Sequence, residues 1–149
     1  MYGLMPILVA RVSELVAGLA YYHKPTGLRI APQVIESCLP KKDRMWQEGQ
    51  DFPHVLIAIT DGGFDKFNPP PVKVTIGCDI LTDGDTATGT EEIMELTTTV
   101  GRLVENRSFP PYKLRTPIRF TVGSDQPGFE GIQPHPVYFS NIYLEFIKF

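Results

Sequence analysis

The sequence predicts an α+β fold, a single mixed or antiparallel sheet of about five strands with two helices packed on it. Apolar residues recur at helical spacing in two separated segments, and elsewhere alternate at the period of a strand, most clearly from Val72 to Leu81. Read along the chain, the elements run helix, three strands, helix, two strands. No internal repeat interrupts them, and residues 1–149 read as one domain. A compact chain of 149 residues buries about 70% of its unfolded surface, enough for one core.

The first helix starts at Pro6, whose missing N–H has no intrahelical partner in the first turn. Leu8, Val12, Leu15, Val16 and Leu19 form its apolar stripe, and it is expected to end near Tyr22, before Pro25 and Gly27. Leu28 to Ser37 reads as a strand that Pro32 shortens or places at an edge. His54 to Thr60 is almost wholly apolar, as expected of a strand covered on both faces. In Val72 to Leu81, Val72, Val74, Ile76, Cys78 and Ile80 share one face. Thr90 is the expected N-cap of the second helix, with Glu91 and Glu92 in its first turn. Its stripe is Ile93, Leu96, Val100, Leu103 and Val104, and it ends near Asn106. Leu114 to Val122 and Val137 to Phe149 are the last strands. Long loops are expected near 38–52, 61–71 and 123–136, the second stiffened by Pro69-Pro70-Pro71.

With 42% hydrophobic and 21% charged residues, the composition excludes a disordered or collagenous chain. The apolar run Leu4 to Ala10 is too short to span a bilayer, and Met1-Tyr2-Gly3 lacks the basic region of a secretory signal, so a soluble protein is expected. A net charge of −3 gives no bulk attraction to nucleic acid or anionic lipid. The charge is uneven. Asp51 to Val100 holds nine acidic and two basic residues, and the remainder holds eight acidic and twelve basic. A solvated acidic face accounts for this, as does an acidic patch that meets a basic patch on another copy.

Little catalytic chemistry is legible. Cys38 and Cys78 form no Cys-x-x-Cys pair, so both are expected as reduced thiols with no disulfide. His23, His54 and His135 have no metal-ligand spacing, and no metal or cofactor is expected. Asp83-Gly84-Asp85 opens like a calcium loop, but Thr88 and Met94 fall where that loop needs its glycine and its bidentate acid. Gly123-Ser124-Asp125 lacks the flanking glycines of a nucleophile elbow. Lys113, Arg115 and Arg119 with Tyr112 and Phe120 come nearest to a nucleic-acid footprint, and three charges are a weak one. A small enzyme would need a site assembled from scattered residues such as His54, Asp61 and Asp125, converging on a deep pocket.

Apolar material stands where a monomer gains nothing from it. On the last strand Tyr138, Ile142, Leu144 and Phe146 share a face, while Val137, Phe139, Tyr143, Ile147 and Phe149 share the other. One face fills the core; the second needs a helix of the same chain or another chain. Phe64 and Phe67 raise the same question in their loop. Phe64, Phe67, Phe139 and Tyr143 are therefore the candidate subunit contacts, with Lys41, Lys42, Arg115 and Arg119 as basic partners for the acidic middle segment.

Taken together, the N-terminal amphipathic helix, Pro53-His54-Val55-Leu56-Ile57, Val74-x-Ile76 and the Glu91 to Asn106 helix form a recognisable order. It closes on Pro136-x-Tyr138-Phe139-x-x-Ile142-x-Leu144-x-Phe146. From about Met5 onward the chain resembles the bacteriophage tail terminator, or tail-completion, family, which includes minor tail proteins of contractile-tailed phages and prophages. The stretch from Leu39 to Phe52 and the triple-proline loop exceed that family's minimum fold. The resemblance implies a non-enzymatic virion protein, held in the host cytoplasm before assembly. Such a protein forms a hexameric ring that caps the head-proximal end of the tail tube, ends its polymerisation and joins the neck. Its implied partners are further copies of itself, the tail tube protein, and sheath and neck or connector proteins. Another neck or baseplate adaptor of a phage-like particle is the alternative.

Overall fold

The computed structural model describes residues 3–36, 39, 42, 45–67 and 70–148. Helix α1 spans Leu4–Val16 and α2 spans Thr86–Val100, continued by a 3-10 turn over Gly101–Glu105. The strands are β1 Tyr21–His23, β2 Leu28–Ile30, β3 Gln33–Glu36, β4 His54–Asp61, β5 Val72–Leu81, β6 Ser108–Phe109, β7 Tyr112–Leu114, β8 Arg119–Val122 and β9 Val137–Lys148. The class is the expected α+β.

The two long strands β5 and β9 form the centre of the sheet, antiparallel from Val72↔Phe146 to Leu81↔Val137. Beyond β5 lie β4 and, at its far end, β1, which carries β2. Beyond β9 lie β8 at one end and β7, which carries β6, at the other. Every pairing is antiparallel except β3 with β4, so the sheet is mixed. The described residues thus form nine strands rather than five. Two expected strands are each split at a proline. Pro32 separates β2 from β3 and Pro117 separates β7 from β8, because proline has no N–H to give a ladder. The very short β1 and β6 carry too few residues to show a period.

Both helices lie on one face. Leu4, Met5, Leu8, Val12 and Val16 of α1 and Ile93, Leu96 and Val100 of α2 are buried against Val74, Ile76, Cys78 and Ile80 of β5 and Tyr138, Ile142, Leu144 and Phe146 of β9. Three boundaries differ from expectation. α1 begins before Pro6, which stays within the first turn, and ends at Val16 instead of Tyr22. Tyr21 and Tyr22 leave the helix because their backbones pair with Ile30 and Arg29 in β2. α2 starts one turn earlier than Thr90. Asp85 is its cap, accepting the Thr88 N–H at 2.8 Å, and Thr90 instead donates to the Thr86 carbonyl within the helix. Glu92 consequently sits beyond the first turn and is buried, while Val104 is exposed rather than part of the stripe.

Close packing of α2 on β9 needs Gly89. A Cβ there would overlap the Tyr138 ring, so only glycine lets the helix approach. Polar groups in this layer are satisfied. Thr97 donates to the Ile93 carbonyl at 2.6 Å, so the 2.6 Å contact between Thr97 and Ser140 has Ser140 as donor. Among the described residues no helix is long and apolar enough to cross a membrane.

Candidate interaction surfaces

Register places a second set of side chains on the face of the sheet that neither helix covers. Across β4, β5 and β9 the rows read His54, Asp79 and Phe139, then Leu56, Gly77 and Asn141, then Ala58, Thr75 and Tyr143, then Asp61, Lys73 and Glu145. β8 extends two of these rows with Thr121 beside Asn141 and Arg119 beside Tyr143. The second face of β9 is thus the face the alternating pattern identifies, and no helix among the described residues closes it.

One end of this face is tied down. His54 is buried, with Nδ1 2.9 Å from the Asp51 carbonyl and Nε2 3.0 Å from Asp79 Oδ2. Both partners accept, so an imidazolium with two N–H groups satisfies both. Burial alone would lower the pKa of His54, but the bond to Asp79 and the charge of Asp79, with the Asp51 carbonyl, outweigh it and raise the value above 6.5. Phe52 packs on the imidazole with ring centres 5.2 Å apart. Phe139 is held nearby through its backbone, its N–H donating to Gln133 Oε1 at 2.9 Å and its carbonyl accepting from Gln133 Nε2 at 2.8 Å.

The other end is an open groove of about 430 Å³ lined by residues that include Lys73, Thr75, Arg115, Arg119, Tyr143 and Glu145. The Arg119 guanidinium stacks 4.5 Å above the Tyr143 ring, and the Tyr143 hydroxyl lies 3.2 Å from Thr121 Oγ1. Arg115 Nη1 lies 3.3 Å from Glu145 Oε1. Three candidate residues, Arg115, Arg119 and Tyr143, therefore converge on one cationic groove. A carboxylate of its own chain already engages Arg115.

Phe64 lies elsewhere, on the β4–β5 loop, beside Pro70, Val72, Tyr112 and Lys148, and Phe67 follows on the same loop. They are 98% and 86% exposed. Lys42 is exposed, its ammonium 5.7 Å from the Trp46 ring centre. Lys41, Arg44 and Cys38 lie outside the described residues. The basic–aromatic set considered for nucleic acid does not form one surface, because Tyr112 is buried and Phe120 and Arg119 fall on opposite faces of β8.

Several carboxylates of the acidic middle segment are engaged within the chain. Arg29 binds Glu92 at 2.5 Å and Asp83 at 3.7 Å, and Thr82 donates to the other oxygen of Glu92 at 3.1 Å. Tyr21 donates to Glu95 at 2.8 Å, a phenol whose pKa is raised by burial and by that carboxylate. Sequence reading missed both the Arg29–Glu92–Thr82 cluster and the Tyr21–Glu95 bond, because β1 is too short to show a period and its pairing with β2 joins residues that no local window relates.

A second groove, of about 470 Å³ and mostly apolar, opens beside the end of α2, between Thr97, Gly101 and Val104 on one side and Pro117, Ile118 and Phe120 on the other. Phe120 is 48% exposed and Val104 39%. Thr116 and Pro117 line both grooves, so the apolar and cationic surfaces adjoin.

His54, Asp61 and Asp125 do not converge. His54 and Asp61 stand at opposite ends of β4, about 23 Å apart at ~3.3 Å per residue, and Asp125 is exposed after β8. Among the described residues no group of three or more His, Cys, Asp or Glu side chains is placed to hold a metal ion. No protein-family model matches the chain, and no curated protein matches it.

Proposed function

We propose that this chain is a structural subunit of a phage or phage-like tail, a terminator whose copies join head to tail in a hexameric ring. The ring caps the head-proximal end of the tail tube, stops its growth and presents a surface to the neck. One observation carries the reading: Phe64 and Phe67 lie in water on the β4–β5 loop, while β9 carries half-buried Phe139 and Tyr143 on a second face that no helix among the described residues covers. Exposed apolar groups of this kind mark surfaces that another protein covers. The closing strand is also one of the segments that carry the resemblance to the tail terminator family.

The test is the mass in solution by light scattering over a wide concentration range, followed by electron microscopy. Ring-shaped oligomers are expected, and adding them to polymerising tail tube protein of the same phage or prophage should leave shorter tubes. A protein that stays monomeric, alone and with the tube protein, and leaves tube length unchanged, removes the reading.

A further inference from the structure

Residues 62–67 and Pro70 of the β4–β5 loop make local contacts that shape a knob. The Gly62 N–H donates to Asp61 Oδ1 and the Phe67 N–H to Asp65 Oδ1, both at 2.9 Å. Gly63 is so close to Pro70 that a Cβ would sit 2.8 Å from its ring. Lys66 covers one face of Phe67, with its ammonium 5.2 Å from the ring centre. The loop thus holds two phenyl rings in water with local bonds and prolines, which lowers the ordering cost of docking them.

The same molecule carries a matching recess that its own loop does not fill. The Phe64 ring sits near Val72 and Lys148, at one end of the β5–β9 pair. The apolar groove is lined by Val104, Pro117, Ile118 and Phe120, and Phe120 pairs with Ile142, six residues along β9 from Lys148. The charges also match. The loop brings Asp61 and Asp65 beside the rings, and the rim shared by both grooves leads to Arg115 and Arg119.

We infer that the Phe64–Phe67 loop of one copy docks in the Val104–Ile118–Phe120 groove of the next copy, with Asp61 and Asp65 directed to the Arg115–Arg119 rim. This deepens the ring reading and rests on it. Knob and recess are different patches, so the contact is heterologous and propagates around a ring or along a filament. The area decides its strength. Two phenylalanines bury roughly 150–250 Å² each, so one loop with its groove falls short of the ~1,200–2,000 Å² of a stable pairwise interface. An isolated pair is therefore weak, and closing the ring supplies the remainder by making the last contacts intramolecular.

The experiment uses the full chain in four forms: wild type, the loop variant Phe64→Ser/Phe67→Ser, the groove variant Val104→Glu/Phe120→Ser, and an equimolar mixture of the two variants. All four substituted positions are exposed, and circular dichroism checks that each variant folds. Light scattering should show the wild type assembling and each variant weakened at least about thirtyfold, which corresponds to about 2 kcal/mol. The mixture should give at most weak dimers, seen only at high concentration, and nothing larger, because only one intact knob–recess pair is left per two chains. A second measurement does not depend on losing assembly. Phe64→Cys/Val104→Cys on a Cys38→Ser background should give a ladder of disulfide-linked multimers on oxidation. A wild type that assembles together with variants that assemble equally well, or an oxidised sample that stays monomeric, overturns the docking and leaves the ring reading standing. A wild type that never assembles overturns both.

Discussion

His54 is the side chain at which protonation and fold are most tightly linked. Its folded pKa is raised above the unfolded value of 6.5, so its stabilisation is fully present below that value and is lost as pH rises through the folded pKa. Urea midpoints should therefore fall from pH 6 to pH 8.5, and His54→Leu should flatten that part of the profile. Removing the charge-assisted bond to Asp79 should cost about 1.5–3 kcal/mol at pH 6. A wild-type midpoint that is flat across this window would remove the imidazolium from the account. Gly89 gives a test of packing. Gly89→Ala should cost about 1–3 kcal/mol, since the new methyl meets Tyr138. Gly77→Ala is the control, because its Cβ would find only ordinary contacts, the nearest at 3.6 Å. Equal melting temperatures for the two variants would contradict the close approach of α2. Cys78 is wholly buried, and burial pushes its thiol up to about 12. Peptide-resolved alkylation of the native protein should leave Cys78 unmodified until denaturant is added.

Along β9 the two faces have different duties, and substitutions on neighbouring residues separate them. Ile142 lies in the core opposite Ile76, and Ile142→Ala should cost about 2–5 kcal/mol through the cavity it leaves. Tyr143, one residue on, meets Arg119 and Thr121 on the uncovered face. Tyr143→Ser should change stability far less and reduce association instead. Denaturant midpoints and light scattering on the same two variants read the difference. If Tyr143→Ser unfolds the protein as readily as Ile142→Ala, the second face of β9 serves the fold rather than contact with another copy.

For the whole molecule, the internal use of Glu92, Glu95, Asp79 and Asp83 limits what charge can do between copies. Each exposed pair contributes roughly 0.2–1 kcal/mol, and screening acts beyond about 8 Å at physiological ionic strength. Assembly should weaken only modestly between low and high salt, with the association rate more affected than the final extent. Arg119→Glu reports on the groove more cleanly than Arg115→Glu, which would also set a new carboxylate against Glu145. Assembly that strengthens steadily with salt would show that the apolar knob and recess act alone.

The period of the long elements survived folding because each buries one face against the same core. Val72 to Leu81 and the Tyr138–Phe146 stripe lie where alternation puts them, and Leu8, Val12, Val16, Ile93, Leu96 and Val100 face the sheet as their spacing requires. The exposed pair Phe64 and Phe67 was legible too, since an apolar residue between turn formers has no periodic partner. Tertiary structure alone decided the remainder. Tyr21 and Tyr22 are compatible with the helix before them until β2 offers their backbones a ladder. Pro32 and Pro117 each divide one apolar run between two different neighbours. The joining of Arg115, Arg119 and Tyr143 in one groove follows from the β8–β9 register, and that of Val104 with Ile118 and Phe120 from the packing of the 3-10 turn after α2 beside residues 117–120. Local sequence determines which residues seek burial and at what period. Which distant residues meet depends on pairings whose free energy is shared over the whole sheet, so no short window of sequence contains it.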